Sequence, residues 1–250
     1  MIFYNTAQDQ PPLISTLPAD CTVVIPTYNE HDNIHALISR VLALPRFRVL
    51  IVDDNSPDGT ADVVTAIASN EPRVGLLSRP GKQGLGTAYV AGFRRALAEG
   101  AQFICEMDAD FSHDPSYLPQ LLATAETNYD LVLGSRYIDG GGTTDWGKLR
   151  KLISRGGNTY ARFILGLPVM DATSGFRCYQ RQVLETINLD AIESNGYAFQ
   201  IELVYRTMCA GFRIGEIPII FPDRRVGNSK MSRRIVLEAL LKVWKLRIQR

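Results

Sequence analysis

The chain has 250 residues, 46% hydrophobic and 21% charged, enough for one large α/β domain with a sizeable core. Its formal net charge of +1 argues against nucleic acid as a partner held by bulk electrostatics. Its four cysteines form no CxxC pair, which leaves zinc and thioredoxin-type redox chemistry without support and fits a reducing cytoplasm.

Residues 1–20, with Pro11, Pro12 and Pro18 among polar residues, read as a flexible lead-in rather than a secretion signal. Cys21–Pro26 is a short apolar run expected to be a buried parallel strand, and Asn33–Leu44 carries apolar residues at helical spacing. Phe47–Val52 makes a second strand, stopping at Asp53-Asp54; a helix follows through Ala68, with Asp58 or Thr60 as its N-cap. Arg73–Ser78 is the third strand, and Gly86–Glu99 a helix closed by Gly100. Phe103–Met107 is the fourth, ending in Asp108-Ala109-Asp110, and Pro115 opens the next helix. Asp130–Gly134, the fifth, delivers Ser135-Arg136. Repeated βα units predict a Rossmann-like, doubly wound, mostly parallel sheet. Beyond it come a Gly-rich loop at 140–142, a helix over about 149–165 and a mixed region to Phe221. Cys21, Cys105 and Cys178 fall in strand-like runs, where a thiol serves as a small buried hydrophobe.

Open parallel sheets bind ligands at the carboxyl ends of their strands. Here those ends supply Thr27-Tyr28-Asn29-Glu30, Asp53-Asp54, Asp108-Ala109-Asp110 and Ser135-Arg136 to one rim. Asp53-Asp54 reads either as a turn or as a carboxylate for the ribose or base of a nucleotide. No GxGxxG follows the first strand, so a nicotinamide or flavin is not expected. Gly84-Leu85-Gly86 reads as a flexible loop before a helix. In an extended segment Asp108 and Asp110 point the same way, toward one Mg²⁺ or Mn²⁺ completed by waters and diphosphate oxygens. Ser112 is positioned to extend that metal shell, whereas His113 reads as a structural hydrogen-bonder.

Val24-Ile25-Pro26-Thr27-Tyr28-Asn29-Glu30, Val52-Asp53-Asp54-Asn55-Ser56-Pro57-Asp58-Gly59-Thr60 and Met107-Asp108-Ala109-Asp110-Phe111-Ser112-His113 resemble the inverting GT-A family 2 glycosyltransferases. Gly134-Ser135-Arg136-Tyr137, Ser154-Arg155-Gly156-Gly157-Asn158, Asp171-Ala172-Thr173-Ser174-Gly175-Phe176-Arg177 and Arg224-Arg225-Val226-Gly227-Asn228-Ser229-Lys230-Met231-Ser232 are similar to the dolichyl-phosphate (polyprenyl-phosphate) mannose synthase branch. The resemblance implies that Pro26, Tyr28, Glu30, Val52 and Asp54 hold the guanosine end of GDP-mannose. It implies that Asp108, Ala109 and Asp110 contact donor and metal, with Asp110 and Ser112 as ligands beside Asp108. Arg136, Arg155, Arg224 and Lys230 would neutralise the phosphates of donor and polyprenyl acceptor. The expected product is the β-linked lipid-phosphate sugar. UDP-glucose or another donor, and a non-catalytic lipid-sugar-binding subunit, stand as alternatives.

The GT-A domain is expected over 21–232, and 233–250 as a basic amphipathic helix. Val236, Leu237, Leu240, Leu241, Val243, Trp244 and Ile248 share its apolar side, with Lys242, Lys245, Arg247 and Arg250 among the polar positions. Such a helix fits three roles: lying on the cytoplasmic face of a membrane, packing on the core, or binding a separate membrane-anchoring subunit. No apolar run reaches the roughly 18 residues of a membrane-spanning helix.

Overall fold

The structure is a computed structural model that describes residues 20–194, 196–222 and 233–248, with residues 233–240 described by backbone alone. The lead-in (1–19), Arg224, Lys230 and Arg250 lie outside the described residues.

Four βα repeats and a fifth strand open the chain. They run β1 (Cys21–Thr27), α1 (His31–Leu42), β2 (Phe47–Asp53), α2 (Thr60–Ala68), β3 (Val74–Ser78), α3 (Leu85–Ala98), β4 (Phe103–Glu106), α4 (Leu118–Thr127) and β5 (Leu131–Ser135). The strands are apolar almost throughout because both sheet faces are covered. Cys21, Val23 and Ile25 of β1 pack with α1, α2 and α4, while Val24 faces α3 and the later helices. Gly92 lets α3 sit close: a Cβ there would come 2.3 Å from Val24 Cγ1 and 3.0 Å from Val52 Cγ2. The expected stop at Gly100 is present as a Schellman turn. Gly100, at φ +85°, donates its N–H to Leu97 C=O and Ala101 donates to Ala96 C=O, both at 3.1 Å. Pro115 begins a short 3-10 turn, Pro115–Tyr117, and α4 proper starts at Leu118.

The second half adds β6 (Gly142–Thr143), α5 (Lys148–Leu165), β7 (Arg177–Gln180), α6 (Arg181–Thr186), α7 (Gly196–Cys209), β8 (Ile214–Pro218), β9 (Ile220–Phe221) and α8 (Arg233–Ile248). The main sheet has the order β3-β2-β1-β4-β7-β5-β8. Its pairs are parallel except at β7, which runs antiparallel to both β4 and β5, with Cys178 opposite Cys105 and Val132. The mostly parallel sheet is therefore present, with a reversed strand between two strands that the βα rhythm alone would make neighbours. The chain leaves the rim after Ser135, travels through α5, and re-enters the sheet from the rim side; that direction of return dictates the reversal.

α8 packs on α5 and α7. Val243 and Leu246 are buried there, while Leu241, Trp244 and Ile248 are exposed on the opposite side. Core packing and an outward apolar stripe thus coexist on one helix. No described helix is long and apolar enough to cross a membrane.

Candidate active site

A cavity of about 390 Å³ opens at the carboxyl ends of β1, β2 and β4, within the range of small-molecule sites. Pro26, Tyr28, Glu30 and Asp54 form one side of its lining, Asp108, Ala109 and Asp110 its floor. Thr173, Gly175, Gly196, Tyr197 and Gln200 line it from the second half of the chain.

Short polar side chains stitch the first wall together. Asp53 accepts from Thr27 Oγ1 (2.8 Å) and from the N–H and hydroxyl of Ser56 (2.9 and 2.6 Å). Asp58 accepts from the N–H and hydroxyl of Thr60 (3.0 and 2.6 Å) and from His31 N–H (3.1 Å), so it ties the start of α2 to that of α1. Gly59, at φ +85°, occupies the position immediately before α2. The two readings of Asp53-Asp54 divide between the residues: Asp53 holds the turn, and Asp54 lines the cavity. Arg79 Nη1 lies 3.0 Å from Asp54 Oδ1 but out of hydrogen-bond alignment, so the contact is an ion pair. Burial pushes the Asp54 carboxyl above its usual range, against the opposing pull of Arg79. Lys82 sits 4.0 Å from the Tyr28 ring centre at the cavity mouth.

The Asp108-Ala109-Asp110 segment differs from its expected geometry. The strand ends at Glu106 and the chain bends through Asp110, so local hydrogen bonds, not strand alternation, place both carboxylates on the cavity lining. Tyr89 donates its hydroxyl to Asp108 Oδ1 (3.1 Å), and Asp108 N–H donates to His113 Nδ1 (3.0 Å). Ser112 N–H donates to Asp110 Oδ1 (3.0 Å). Phe111 adopts φ +59°, a costly conformation for an aromatic residue, and this reversal brings Ser112 back under Asp110. His113, buried and stacked on Phe176, is structural as expected.

Beneath this floor lies a buried charge network. Glu106 accepts from Tyr179 hydroxyl (2.7 Å) and Gln200 Nε2 (2.8 Å), and burial raises its carboxyl above the usual range despite Arg177 nearby. Arg177 donates to the carbonyls of Ser174 (2.6 Å), Ala172 (2.9 Å) and Gln200 (3.0 Å), fixing the loop that carries Thr173 and Gly175.

Arg136 departs from its expected role at the phosphates. Its Nε and Nη2 each donate to Asp171 at 2.6 Å, and Nη2 also reaches Thr173 Oγ1 at 2.8 Å. Burial works to lower its pKa, but Asp171 outweighs burial and the net shift is upward. Phe221, Tyr137 and Trp146 surround the guanidinium. It is a buried brace for the Thr173 wall. Val52 is likewise wholly buried in the core, off the cavity lining. Arg155 is exposed on α5, 5.6 Å from the Tyr137 ring, also off the lining. Gly84, expected in a flexible loop, starts α3 at φ +106° and lines the cavity. Arg79, Lys82, Tyr89, Gln200 and Glu106 carry parts of this architecture without having been singled out as site residues. Arg79 alone had a positional signal, following directly on a strand end.

The glycosyl transferase family 2 model matches residues 22–187. Polyprenol monophosphomannose synthase of Mycolicibacterium smegmatis is 45% identical over 229 residues, covering 90% of this chain and 86% of that protein. Undecaprenyl-phosphate mannosyltransferase of Micrococcus luteus is 48% identical over 221 residues, covering 88% and 90%. Glucosyl-3-phosphoglycerate synthase of Mycobacterium tuberculosis, solved with Mn²⁺, UDP and glucosyl-3-phosphoglycerate, shares the fold at TM-score 0.67 and 20% identity, covering 91% of this chain and 80% of that one. With more than half its length matched and two close relatives spanning most of it, the chain belongs to glycosyl transferase family 2 and is a glycosyltransferase of the GT-A type.

Proposed function

We propose that this enzyme transfers mannose from GDP-mannose to the phosphate of a polyprenol such as dolichol, inverting the anomeric carbon to give a β-linked product. The observation that carries the reading is the meeting of Asp54, Asp108 and Asp110 in one cavity of a chain close to two polyprenol-phosphate mannosyltransferases.

The residues fit a hard divalent cation. The carboxylates of Asp108 and Asp110 share the lining, and Ser112 Oγ is buried beside Asp110 with no hydrogen-bond partner among the described residues, a state that normally needs an explanation. Asp110, Asp108 and Ser112 would hold Mg²⁺ or Mn²⁺ through oxygen. When bound, the cation supplies positive charge against the diphosphate of the leaving GDP. In the proposed complex Asp54 receives donors of the guanosine, Tyr28 offers its ring to the base, and Pro26 and Glu30 complete that wall. Asp108 and Ala109 position the sugar.

A phosphomonoester has its second pKa at about 6, so the acceptor is largely dianionic near neutral pH and needs no strong general base. Its oxygen forms the new bond to C1 as the C1–O bond to the diphosphate breaks, and the electron pair leaves with GDP. Arg155, exposed at the rim, and Arg224 and Lys230, outside the described residues, are proposed to offset the acceptor's charge. Arg136 acts by holding Thr173 and Asp171 in place.

The lipid must arrive from a bilayer. Leu149 and Leu152 of α5 are each 70% exposed and Phe163 86%, on a helix that also presents Arg155. Trp244 and Ile248 of the adjoining α8 extend this apolar, basic surface. It suits peripheral attachment at the cytoplasmic face of a membrane, directly or through an anchoring subunit. Flotation of the Leu241→Ser/Trp244→Ser/Ile248→Ser chain with anionic liposomes tests direct attachment; unchanged flotation would remove α8 from the interface.

The decisive test of function is incubation with a panel of labelled nucleotide-sugars and polyprenyl phosphate, with Mg²⁺ or EDTA. The expected result is a chelator-sensitive lipid product from GDP-mannose. Product from UDP-glucose instead would overturn the donor assignment.

A further inference from the structure

Cys21, Cys105 and Cys178 come from β1, β4 and β7, three consecutive strands of the sheet. All three side chains point to the face covered by α1 and α4 and are wholly buried. The Cys21 and Cys105 sulfurs are 3.5 Å apart, and all three sulfurs lie within 4.8 Å of one another. Read singly, each is a small hydrophobe; together they form a tripod. We infer that this tripod is a binding site for a soft, three-coordinate cation of the monovalent copper type, separate from the sugar-transfer cavity.

Three features select the ion. Thiolates favour soft cations over the hard ones that suit carboxylates. Sulfurs arranged in a plane around an ion at about 2.3 Å stand about 4.0 Å apart, and the observed spacings bracket that value. Among the described residues no histidine, aspartate or glutamate joins the trio, so a tetrahedral zinc shell would lack its fourth protein ligand. An ion content with three sulfurs fits the donors present.

The surroundings favour a cation. Arg46 spans Asp20 (2.6 Å) and Glu126 (2.7 Å) in a partly exposed network, and Cys21 N–H donates to Arg46 C=O at 3.4 Å. The network thus sets two carboxylates against one guanidinium on this side of the trio. Each thiol that binds copper as a thiolate releases one proton to solvent, and no electron changes hands.

The test is anaerobic titration of the reduced full chain with Cu(I) against a chromophoric Cu(I) chelator. The parent and the Cys209→Ala variant, which removes only the exposed thiol, are expected to retain one copper per chain. Cys105→Ala and Cys178→Ala are expected to lose it. X-ray absorption of the loaded parent keeps the inference testable should those variants fail to fold, with three sulfur neighbours expected. No retained copper in the parent, equal retention in folded Cys178→Ala, or any other sulfur count would overturn it.

Discussion

The two sides of the candidate active-site cavity are built largely by different means. On the β1–β2 side, loops of a few residues are held by the Asp53 and Asp58 carboxylates, which accept from hydroxyl and amide groups of Ser56 and Thr60 two or three residues away. On the β5–β7 side, the wall hangs on buried charges: Arg136 on Asp171, and Arg177 beside Glu106, joining residues brought together from distant parts of the chain. Local turns make the first side cheap to form and tolerant. Buried charges make the second side specific and brittle, because each guanidinium depends on its partner.

Substitutions can break this contrast. Asp171→Ala strands a buried guanidinium and should cost about 3–5 kcal/mol of stability, read from urea unfolding. A loss under about 1 kcal/mol would erase the asymmetry between the sides. Asp110→Ala sits where they meet and should leave the fold intact while lowering kcat by about 10²–10³-fold, by analogy with removal of one charge-stabilising group. Turnover at the parental rate would remove Asp110 from the chemistry. Gly92→Val overpacks α3 against Val24 and Val52 beneath the first side, for a loss of about 1–3 kcal/mol in thermal or chemical unfolding.

The smallest effect is expected at Asp54. Its folded-state carboxyl titrates above the ordinary 3.8, so its contribution to stability is full below that value and falls as pH rises through the raised pKa. Asp54→Asn should therefore match or exceed the parent in stability at neutral pH and lose that advantage toward pH 3.8, as urea midpoints across pH will show. Nucleotide binding should weaken in the same variant.

The first side was largely readable from sequence for the same reason that it is tolerant. Strand periodicity ends where the acids begin, so Asp54, Asp108 and Asp110 announce themselves by position. Asp53 and Asp54 were indistinguishable there, because a one-residue difference in direction depends on the turn that Ser56 closes. Gln200 left no such mark: it lies within α7, and its role depends on Glu106 across the sheet. Arg136 followed a strand end and resembled a phosphate ligand, yet Asp171, 35 residues later, claims it. Resemblance located the motif; only the tertiary contacts reveal which way the guanidinium turns. The cysteine tripod was hidden similarly, since no spacing reveals that β7 enters between β4 and β5.

That late entry bears on how the protein is made. A nascent chain that has emerged only to Phe176 has completed β4 and β5 but lacks the four residues that join them, leaving an open backbone edge on each. The sheet can be sealed only after Arg177–Gln180 clear the ribosome, so this half of the molecule assembles late and is vulnerable to association with other unfinished chains until then.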